Sequence, residues 1–382
     1  MRQIPLFNLN YDEAEIQAVT EVIHSKWISS GPKCQELEKL FCECLNVQYA
    51  YAVANCTSAL HLALQVLGIT KDDEVIVPSL TFVATVNAVR YVDAVPVFCD
   101  IVSTRDLTLN AKSIERSITS KTKAIIVMHY AGFPCDMGKI MEIAQEHHLY
   151  VIEDACHGPL SEYKGIKLGT IGDIGCFSFY SNKNMSAGEG GMVVTNDSKL
   201  GEKIKLLRSH GMTAVSYDKA KGHATGYDVM ELGYNYRMDD IRAALAISQL
   251  KKLPADLEKR KELREQYIDR LSGCSGIIIP FMQCKEYVSN YIFPIILKDS
   301  NLGEREQVRR QLSEVGIQTS VHYPAVHKFG IYREVGSGSD LLVTEYVSDC
   351  EITLPLYGCL GMEDLGYVCD NLIKICERRK MH

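Results

Sequence analysis

Two adjacent carboxylates, Glu153 and Asp154, end the apolar stretch LYVIEDACH, which is typical of a buried strand. In sheets that are covered by helices, ligands bind just beyond the carboxyl ends of the strands. These carboxylates therefore lie where an active site is expected. A helix N-cap or a buried ion pair would explain the same residues, so the pair alone does not define a site.

A lysine, Lys183, lies between two apolar stretches in a loop of small polar residues and glycines, IGCFSFYSNKNMSAGEGGMVVTN. Loop lysines are usually solvated charges, but these surroundings predict partial desolvation. Desolvation lowers a lysine pKa and makes the neutral amine available as a nucleophile. The glycines precede a strand instead of opening a helix, and the Gly-Lys ending of a P-loop is missing. Nucleotide binding through a P-loop or a GxGxxG motif is therefore unsupported.

A third segment, VANCTSALHLALQ, passes from a strand into a helix at about Thr57 and Ser58. Backbone N–H groups and hydroxyls at a helix N-terminus form an anion site that suits phosphate. Simple N-capping explains the same residues when the segment is taken alone.

The three segments together match the needs of pyridoxal phosphate (PLP). This cofactor requires a lysine for its Schiff base, a carboxylate at its pyridine nitrogen and an anion cradle for its phosphate. A carboxylate at contact distance keeps the pyridine nitrogen protonated, because an opposite charge favours the charged form. The ring then acts as the electron sink that stabilises a carbanion.

The elements that must position these residues are short strands alternating with helices between about residues 50 and 195. This alternation predicts βαβ units and a mostly parallel sheet covered on both faces. The chain has 382 residues, which is more than one core usually fills. We expect an α/β protein with a large domain over residues 1–249, including an N-terminal helical segment, and a small C-terminal α+β domain over residues 250–382.

Composition narrows the class of protein. The chain is 46% hydrophobic and has a formal net charge of −7, which argues against a nucleic-acid partner. No apolar run is long enough to span a membrane, and we expect neither a membrane partner nor a secretion signal. The 14 cysteines are scattered without a CxxC pair, so we expect reduced thiols in the cytoplasm, no disulfide scaffold and no metal site.

Several longer motifs are spread over nearly the whole chain: WISSGPKCQELEK, NCTSALHLAL, VIEDACH, FSFYSNKNMSAGEGGMVVTND, LGYNYRMDDIRAAL and VHYPAVH. In these motifs the chain resembles the DegT/StrS family of nucleotide-sugar aminotransferases, which have the type I fold of PLP enzymes. The family usually has Gly-Thr where this chain has Cys56-Thr57, which is a departure in the phosphate loop.

The resemblance implies roles for residues around the cofactor ring. Lys183 matches the lysine that forms the Schiff base and shuttles the proton between the substrate carbon and the cofactor. Asp154 matches the partner of the pyridine nitrogen, His157 the residue near the phenolic oxygen, and Phe82 the aromatic that stacks on the ring.

The resemblance also implies phosphate and substrate contacts. The matching phosphate ligands are Thr57, Ser58 and Ser178, with Asn235 donated by the other subunit of a homodimer whose active site is shared. Candidate substrate contacts are His322, Tyr323, Arg208 and Arg237, although the two arginines could equally be structural ion pairs.

The implied activity is transfer of an amino group to a keto group of a nucleotide-linked deoxysugar, in amino-sugar biosynthesis. Glutamate is the expected donor, and pyridoxamine phosphate (PMP) is the expected intermediate form of the cofactor. One alternative is a sugar dehydratase of the same family, but dehydratases have His where this chain has Lys183. A second is a non-catalytic PLP-binding regulator. A nicotinamide dehydrogenase lacks support, because no GxGxxG follows the first strand.

Overall fold

The computed structural model describes residues 2–213, 226–335 and 340–380. The helices of this part of the chain are α1 (Glu13–Ser25), α2 (Pro32–Leu45), α3 (Cys56–Val66), α4 (Val83–Tyr91), α5 (Ala111–Ser117), α6 (Met137–His147), α7 (Ser198–Leu207), α8 (Asp240–Leu271), α9 (Leu302–Glu314), α10 (Leu342–Cys350) and α11 (Met362–Lys380). Short 3₁₀ turns occur at Tyr130–Gly132 and Val326–Lys328. None of these helices is both long enough and apolar enough to cross a bilayer.

A seven-stranded sheet forms the centre of the large domain. Its strands are β1 (Tyr49–Val53), β2 (Glu74–Pro78), β3 (Val95–Cys99), β6 (Thr122–Met128), β7 (Tyr150–Asp154), β10 (Ile174–Ser178) and β11 (Gly191–Thr195), in the spatial order β1-β11-β10-β7-β6-β2-β3. All neighbouring pairs are parallel except the two that β11 makes, with β1 and with β10. The predicted α/β class with a mostly parallel sheet is confirmed.

The strands of this sheet are apolar along most of their length because both faces are covered. In β6, six of the seven residues are buried. Helices α3 and α4 pack on one another beside the sheet, while α2 packs against α8. The two-stranded ribbons β4 (Ile101–Ser103) with β5 (Asp106–Leu109), and β8 (Glu162–Tyr163) with β9 (Ile166–Lys167), lie outside the main sheet.

A second, three-stranded sheet lies in the C-terminal part, in the order β12 (Ile277–Ile278), β13 (Phe293–Leu297) and β14 (Glu351–Leu354). It is antiparallel, and helices α9, α10 and α11 belong to the same region of the chain. This arrangement has the α+β character expected for the small domain.

The boundary expected at residues 249 and 250 falls inside α8, a single helix of 32 residues. Pro254 lies inside this helix, although proline lacks the N–H of a helical hydrogen bond. The helix continues through Pro254, and Leu250, Leu253 and Leu257 on either side of it are buried in the core. Apolar burial on that face outweighs the lost hydrogen bond, and α8 connects the regions of the two sheets.

Candidate active site

A cavity of about 740 Å³ opens at the carboxyl ends of the central strands. Asp154 and Ser178 end β7 and β10, and the cavity also contains residues just after β1 and β2. The opposite wall comes from the small-domain side, with Tyr291, Ser320, His322 and Tyr323. This volume is in the range of small-molecule sites and is large enough for a cofactor together with part of a substrate.

Asp154 is 4% exposed and is held in place by two hydrogen bonds. The Thr85 hydroxyl donates to its Oδ2 at 2.8 Å, and the backbone N–H of Cys156 donates to its Oδ1 at 3.3 Å. Thr85 in turn shares a 2.8 Å hydrogen bond with Thr81. The neighbouring carboxylate, Glu153, points away, because it accepts the N–H groups of the loop over residues 169–172 and pairs with His129. The structure thus separates a ligand-facing carboxylate from a structural one.

The Lys183 amine lies on the same side of the cavity as Asp154. Its Nζ is 4.0 Å from the Cys156 sulfur and 4.3 Å from the centroid of the Tyr291 ring. Burial lowers the pKa of Lys183, but Cys156, Tyr291 and Asp154 raise it more strongly, so the net shift is upward. The prediction of a lowered pKa is therefore wrong in its net direction, because it considered desolvation without the acidic groups around the amine.

Helix α3 directs its N-terminus at the cavity through Cys56 and Thr57. Its N-cap is Asn55, whose Oδ1 accepts the backbone N–H of Ser58 at 2.8 Å and the Ser58 hydroxyl at 3.0 Å. The Ser58 side chain is therefore used in capping and does not line the cavity, whereas Thr57 and Ser178 do. The structure gives Ser58 a capping bond where the resemblance implied a phosphate contact.

The close approach of β11 to this helix requires glycine at position 191. A Cβ there would lie 2.7 Å from the Asn55 carbonyl carbon and 2.8 Å from the Cys56 nitrogen. The last glycine of GEGG thus lets the end of β10, with Ser178, come beside the N-terminus of α3. The glycine-rich segment shapes an anion cradle without itself being a phosphate loop.

His157 lies behind the cavity wall instead of in it. The Ala131 N–H donates to its Nδ1 at 3.3 Å, so the ring proton is on Nε2, 2.8 Å from the Tyr323 hydroxyl oxygen. Burial, followed by the charge on Lys183, lowers the pKa of His157 well below its usual value, so the ring is neutral. Tyr323 does line the cavity, so His157 reaches the cavity wall through its bond to this hydroxyl.

Phe82 is the N-cap residue of α4 and is 57% exposed at the edge of the cavity. Its ring centroid lies 6.0 Å from that of Tyr323, so the two aromatics approach each other across the two walls. A large apolar side chain exposed beside a cavity is available to stack on a planar ligand. Its position agrees with the stacking role that the resemblance implies.

The remaining predicted residues do not line the cavity. Arg208 donates to Glu38 and to the Ala52 carbonyl at 2.8 Å, and its side chain is mostly buried. Arg237 donates to the Ser209 hydroxyl at 3.2 Å. Arg208 is thus the structural ion pair that the sequence left open. Asn235 is exposed on the surface of its own chain, as a residue that serves a second subunit would be.

Sequence reasoning missed two groups that contact the key side chains. Thr85 lies in the first turn of α4, which begins beside the cavity, and no local pattern links it to Asp154. Tyr291 contacts Lys183 from a part of the chain more than a hundred residues away, and no local pattern marks it.

The residues present fit PLP. An anion for the pyridine nitrogen, an amine for the aldehyde and a helix N-terminus with two hydroxyls for the phosphate all line one cavity. In the described part of the chain, no group of three His, Cys, Asp or Glu side chains is arranged as a metal site.

Comparisons with known proteins agree with this geometry. The chain is 37% identical over 373 residues to the GDP-perosamine synthase of Escherichia coli O157:H7, covering 97% of this chain and 98% of that protein. Its fold matches Helicobacter pylori PseC, an aminotransferase involved in the biosynthesis of pseudoaminic acid, with a TM-score of 0.93, 29% identity and coverage of 99% and 100%. It also matches the PLP form of Streptococcus pneumoniae Spr1654, with a TM-score of 0.92, 28% identity and 99% coverage of both chains.

The two structural matches each cover 99% of this chain and therefore include the cavity and both sheets. They confirm the type I fold and the dependence on PLP, and they do not favour the dehydratase or the regulator. Residues 10–373 match the family described as the DegT/DnrJ/EryC1/StrS aminotransferases, and the chain belongs to that family.

Proposed function

We propose that this chain transfers an amino group from glutamate to the keto group of a nucleotide-linked deoxysugar, for the biosynthesis of an amino sugar. One observation carries the proposal: Lys183, Asp154 and the N-terminus of α3 converge in one cavity of about 740 Å³. The relatives support the substrate class, since those with named activities act in the biosynthesis of amino sugars. The 14 cysteines are scattered without a CxxC pair, which fits a reducing compartment, and we place the reaction in the cytoplasm.

Each wall residue has a task in this reaction. The Asp154 carboxylate, fixed by Thr85, stabilises a protonated pyridine nitrogen. Bound PLP supplies the electron sink that makes the carbon-bound proton of the donor acidic. The Lys183 Nζ takes that proton from the donor carbon and delivers it to the cofactor. Thr57 and Ser178 hold the phosphate with the N–H groups of α3.

The small-domain wall supplies the substrate contacts in this proposal. The Tyr323 oxygen accepts a hydrogen bond from the Nε2–H of His157, so its own O–H can donate into the cavity. His322 lines the same wall, 4.9 Å from Tyr323 between ring centroids. These two side chains can orient sugar oxygens above the cofactor, while Phe82 covers the ring.

We further propose that two copies form a homodimer that shares each active site through Asn235. The segment before Asn235 exposes large apolar side chains: Tyr227, Val229, Met230 and Leu232, the last of them 89% exposed. Exposed apolar side chains in a cluster are typical of a surface that another chain covers.

Leu232→Asp should shift the protein from dimer to monomer in sedimentation velocity. Leu342→Asp, at a 73% exposed leucine in α10, is the matched control and should leave the dimer intact. A Leu232→Asp protein that stays dimeric contradicts this interface.

The overall reaction is tested with glutamate and a panel of nucleotide-linked 3-keto and 4-keto deoxysugars. A 4-keto sugar comes first, because residues 119–137 resemble the branch of the family that aminates at C4. We expect an amino sugar that retains its neighbouring hydroxyl, and 2-oxoglutarate in equal amount. Loss of the hydroxyl would indicate the dehydratase, and the absence of turnover with every sugar would indicate a binding protein.

A further inference from the structure

A buried hydrogen-bonded relay lies behind His322, on the small-domain wall of the cavity. Glu351 and Thr353, in β14, are both fully buried, and His322 is 7% exposed. Glu351 Oε1 lies 2.6 Å from the Thr353 hydroxyl, and that hydroxyl lies 2.8 Å from His322 Nδ1. A carboxyl group is thus connected to the imidazole through a single hydroxyl.

The same carboxyl group also holds the His322 backbone. The His322 N–H donates to Glu351 Oε2 at 2.8 Å, and the Tyr130 hydroxyl donates to the His322 carbonyl. The backbone is therefore fixed at both of its polar groups, and the ring is fixed at Nδ1. Only Nε2 is left as the ring nitrogen that can serve a ligand in the cavity.

A hydroxyl between two partners donates to one and accepts from the other, so protons along this relay must be ordered. If Glu351 is ionised, Thr353 donates to it and must accept the Nδ1 proton of His322, which leaves Nε2 as a bare acceptor. If Glu351 is protonated, it donates to Thr353, and Thr353 donates to Nδ1, so the ring proton lies on Nε2. The neutral ring has one proton to place, because burial and the charge on Lys183 lower the pKa of His322 to about 3.

We propose that Glu351 and Thr353 are positioning residues that set which nitrogen of His322 carries its proton, and so whether His322 offers a donor or an acceptor to a substrate oxygen. The part concerning substrate rests on the proposed function, whereas the control of the tautomer does not. With Glu351 protonated, the Nε2–H suits a keto or phosphate oxygen. With Glu351 ionised, Nε2 suits a hydroxyl proton.

The groups around the relay determine the pH at which the ring proton of His322 moves from one nitrogen to the other. Burial raises the pKa of Glu351 to about 8, and the Thr353 and His322 hydrogen bonds and the charges of Arg305 and Arg309 oppose this rise. The other titratable groups that face the relay include Tyr130, Tyr291, Tyr323, His157 and Lys183. The donor form of His322 therefore exists below about pH 8 and the acceptor form above it.

The tautomer can be read directly by NMR of the cofactor-saturated protein labelled with ¹⁵N-histidine, with His322→Gln assigning the resonance. In the wild type we expect the proton on Nε2 at about pH 6.5 and on Nδ1 at about pH 9.5. Glu351→Gln should hold the proton on Nε2 at both pH values, because its amide donates to Thr353 as the protonated acid does. Should that variant fold poorly, Thr353→Val and Thr353→Ser decide the matter.

Thr353→Ser keeps the hydroxyl and should keep the pH transition, whereas Thr353→Val should lose it. A wild-type tautomer that is the same at both pH values, or a Thr353→Val protein that retains the transition, would overturn the proposal.

Steady-state kinetics extend the test to the substrate. At about pH 6.5 we expect Thr353→Val to raise the KM for the keto-sugar about fivefold with kcat changed less, since about 1 kcal/mol of hydrogen bonding is lost. An unchanged KM would overturn the substrate part alone. If no keto-sugar is turned over by the wild type, the proposed function fails while the NMR result still stands.

Discussion

The two walls of the cavity are built in different ways. The large-domain wall consists of residues at the ends of neighbouring strands, such as Asp154 on β7 and Ser178 on β10. The small-domain wall consists of Tyr291 and the consecutive residues His322 and Tyr323, which lie outside helices and strands and are fixed by buried groups such as Glu351.

This difference assigns two tasks to two parts of the fold. The parallel sheet fixes the groups that hold the cofactor, because the carboxyl ends of its strands meet at one edge. The small sheet fixes the groups that face the substrate, through the buried bonds that join Glu351 and Thr353 of β14 to His322. Substitutions in the first wall should therefore change the chemistry, and those in the second should change selectivity and pH dependence.

The largest effect is expected at Lys183, in the first wall. Lys183→Ala removes the group that moves the proton and should lower turnover by about 10⁴-fold or more, with the thermal unfolding temperature little changed. The matched control is Lys39→Ala, at a side chain that is 79% exposed. A Lys183→Ala enzyme that transaminates at the wild-type rate would contradict the proposed role of Lys183.

Asp154→Asn should have the next largest effect on the reaction rate. It removes the negative charge that keeps the pyridine nitrogen protonated, and should slow the reaction with the amino donor about 10²- to 10³-fold. Thr85→Val leaves the charge and removes one hydrogen bond, so its effect should be about fivefold. Equal rates for the two variants in stopped-flow absorbance would show that charge at Asp154 is not what matters.

Glu351→Gln tests the second wall through stability. The folded protein holds the Glu351 proton up to about pH 8, while the unfolded chain releases it near the usual glutamate pKa of 4.5. The group therefore favours folding most at low pH, and this contribution is lost as the pH rises to about 8. Relative to wild type, the Gln variant should gain about 3 kcal/mol of unfolding free energy between about pH 5.5 and pH 8.5. A difference in urea unfolding that does not depend on pH would contradict the buried, protonated acid.

Arg208→Ala should have the smallest effect and should affect neither wall. Losing the mostly buried pair with Glu38 should reduce the unfolding free energy by about 2 kcal/mol, with the KM for the keto-sugar unchanged within about twofold. A tenfold rise in KM with unchanged stability would instead place Arg208 at the substrate.

Much of the first wall could be predicted from the sequence, because strand ends and helix starts are local patterns. LYVIEDACH and VANCTSAL indicated Asp154 and Thr57 correctly as cavity residues. The sign of the Lys183 pKa shift was not predicted, because Cys156, Tyr291 and Asp154 come together around the amine only in the folded chain. The relay from Glu351 to His322 has no sequence signal either, because its bonds form only where β14 packs beside the His322 segment.

The helices and strands likewise divide into those that local patterns predicted and those that depend on packing in the folded chain. The seven main strands were visible as apolar runs, whereas the continuity of α8 across Pro254 depends on how its apolar face is buried. His157 was expected beside the ring, and its actual place behind Tyr323 follows from bonds that only the folded chain reveals.

The central claim is amino transfer by Lys183 and PLP, and the reaction with the donor alone tests it most directly. The protein is saturated with PLP, glutamate is added without any sugar, and the visible absorbance is followed. We predict that this absorbance decays to the spectrum of PMP, that 2-oxoglutarate appears in equal amount, and that the Lys183→Ala protein shows neither change. A wild-type protein that binds PLP without reacting with glutamate would contradict the proposed donor, and one in which no visible band forms would contradict the role of Lys183.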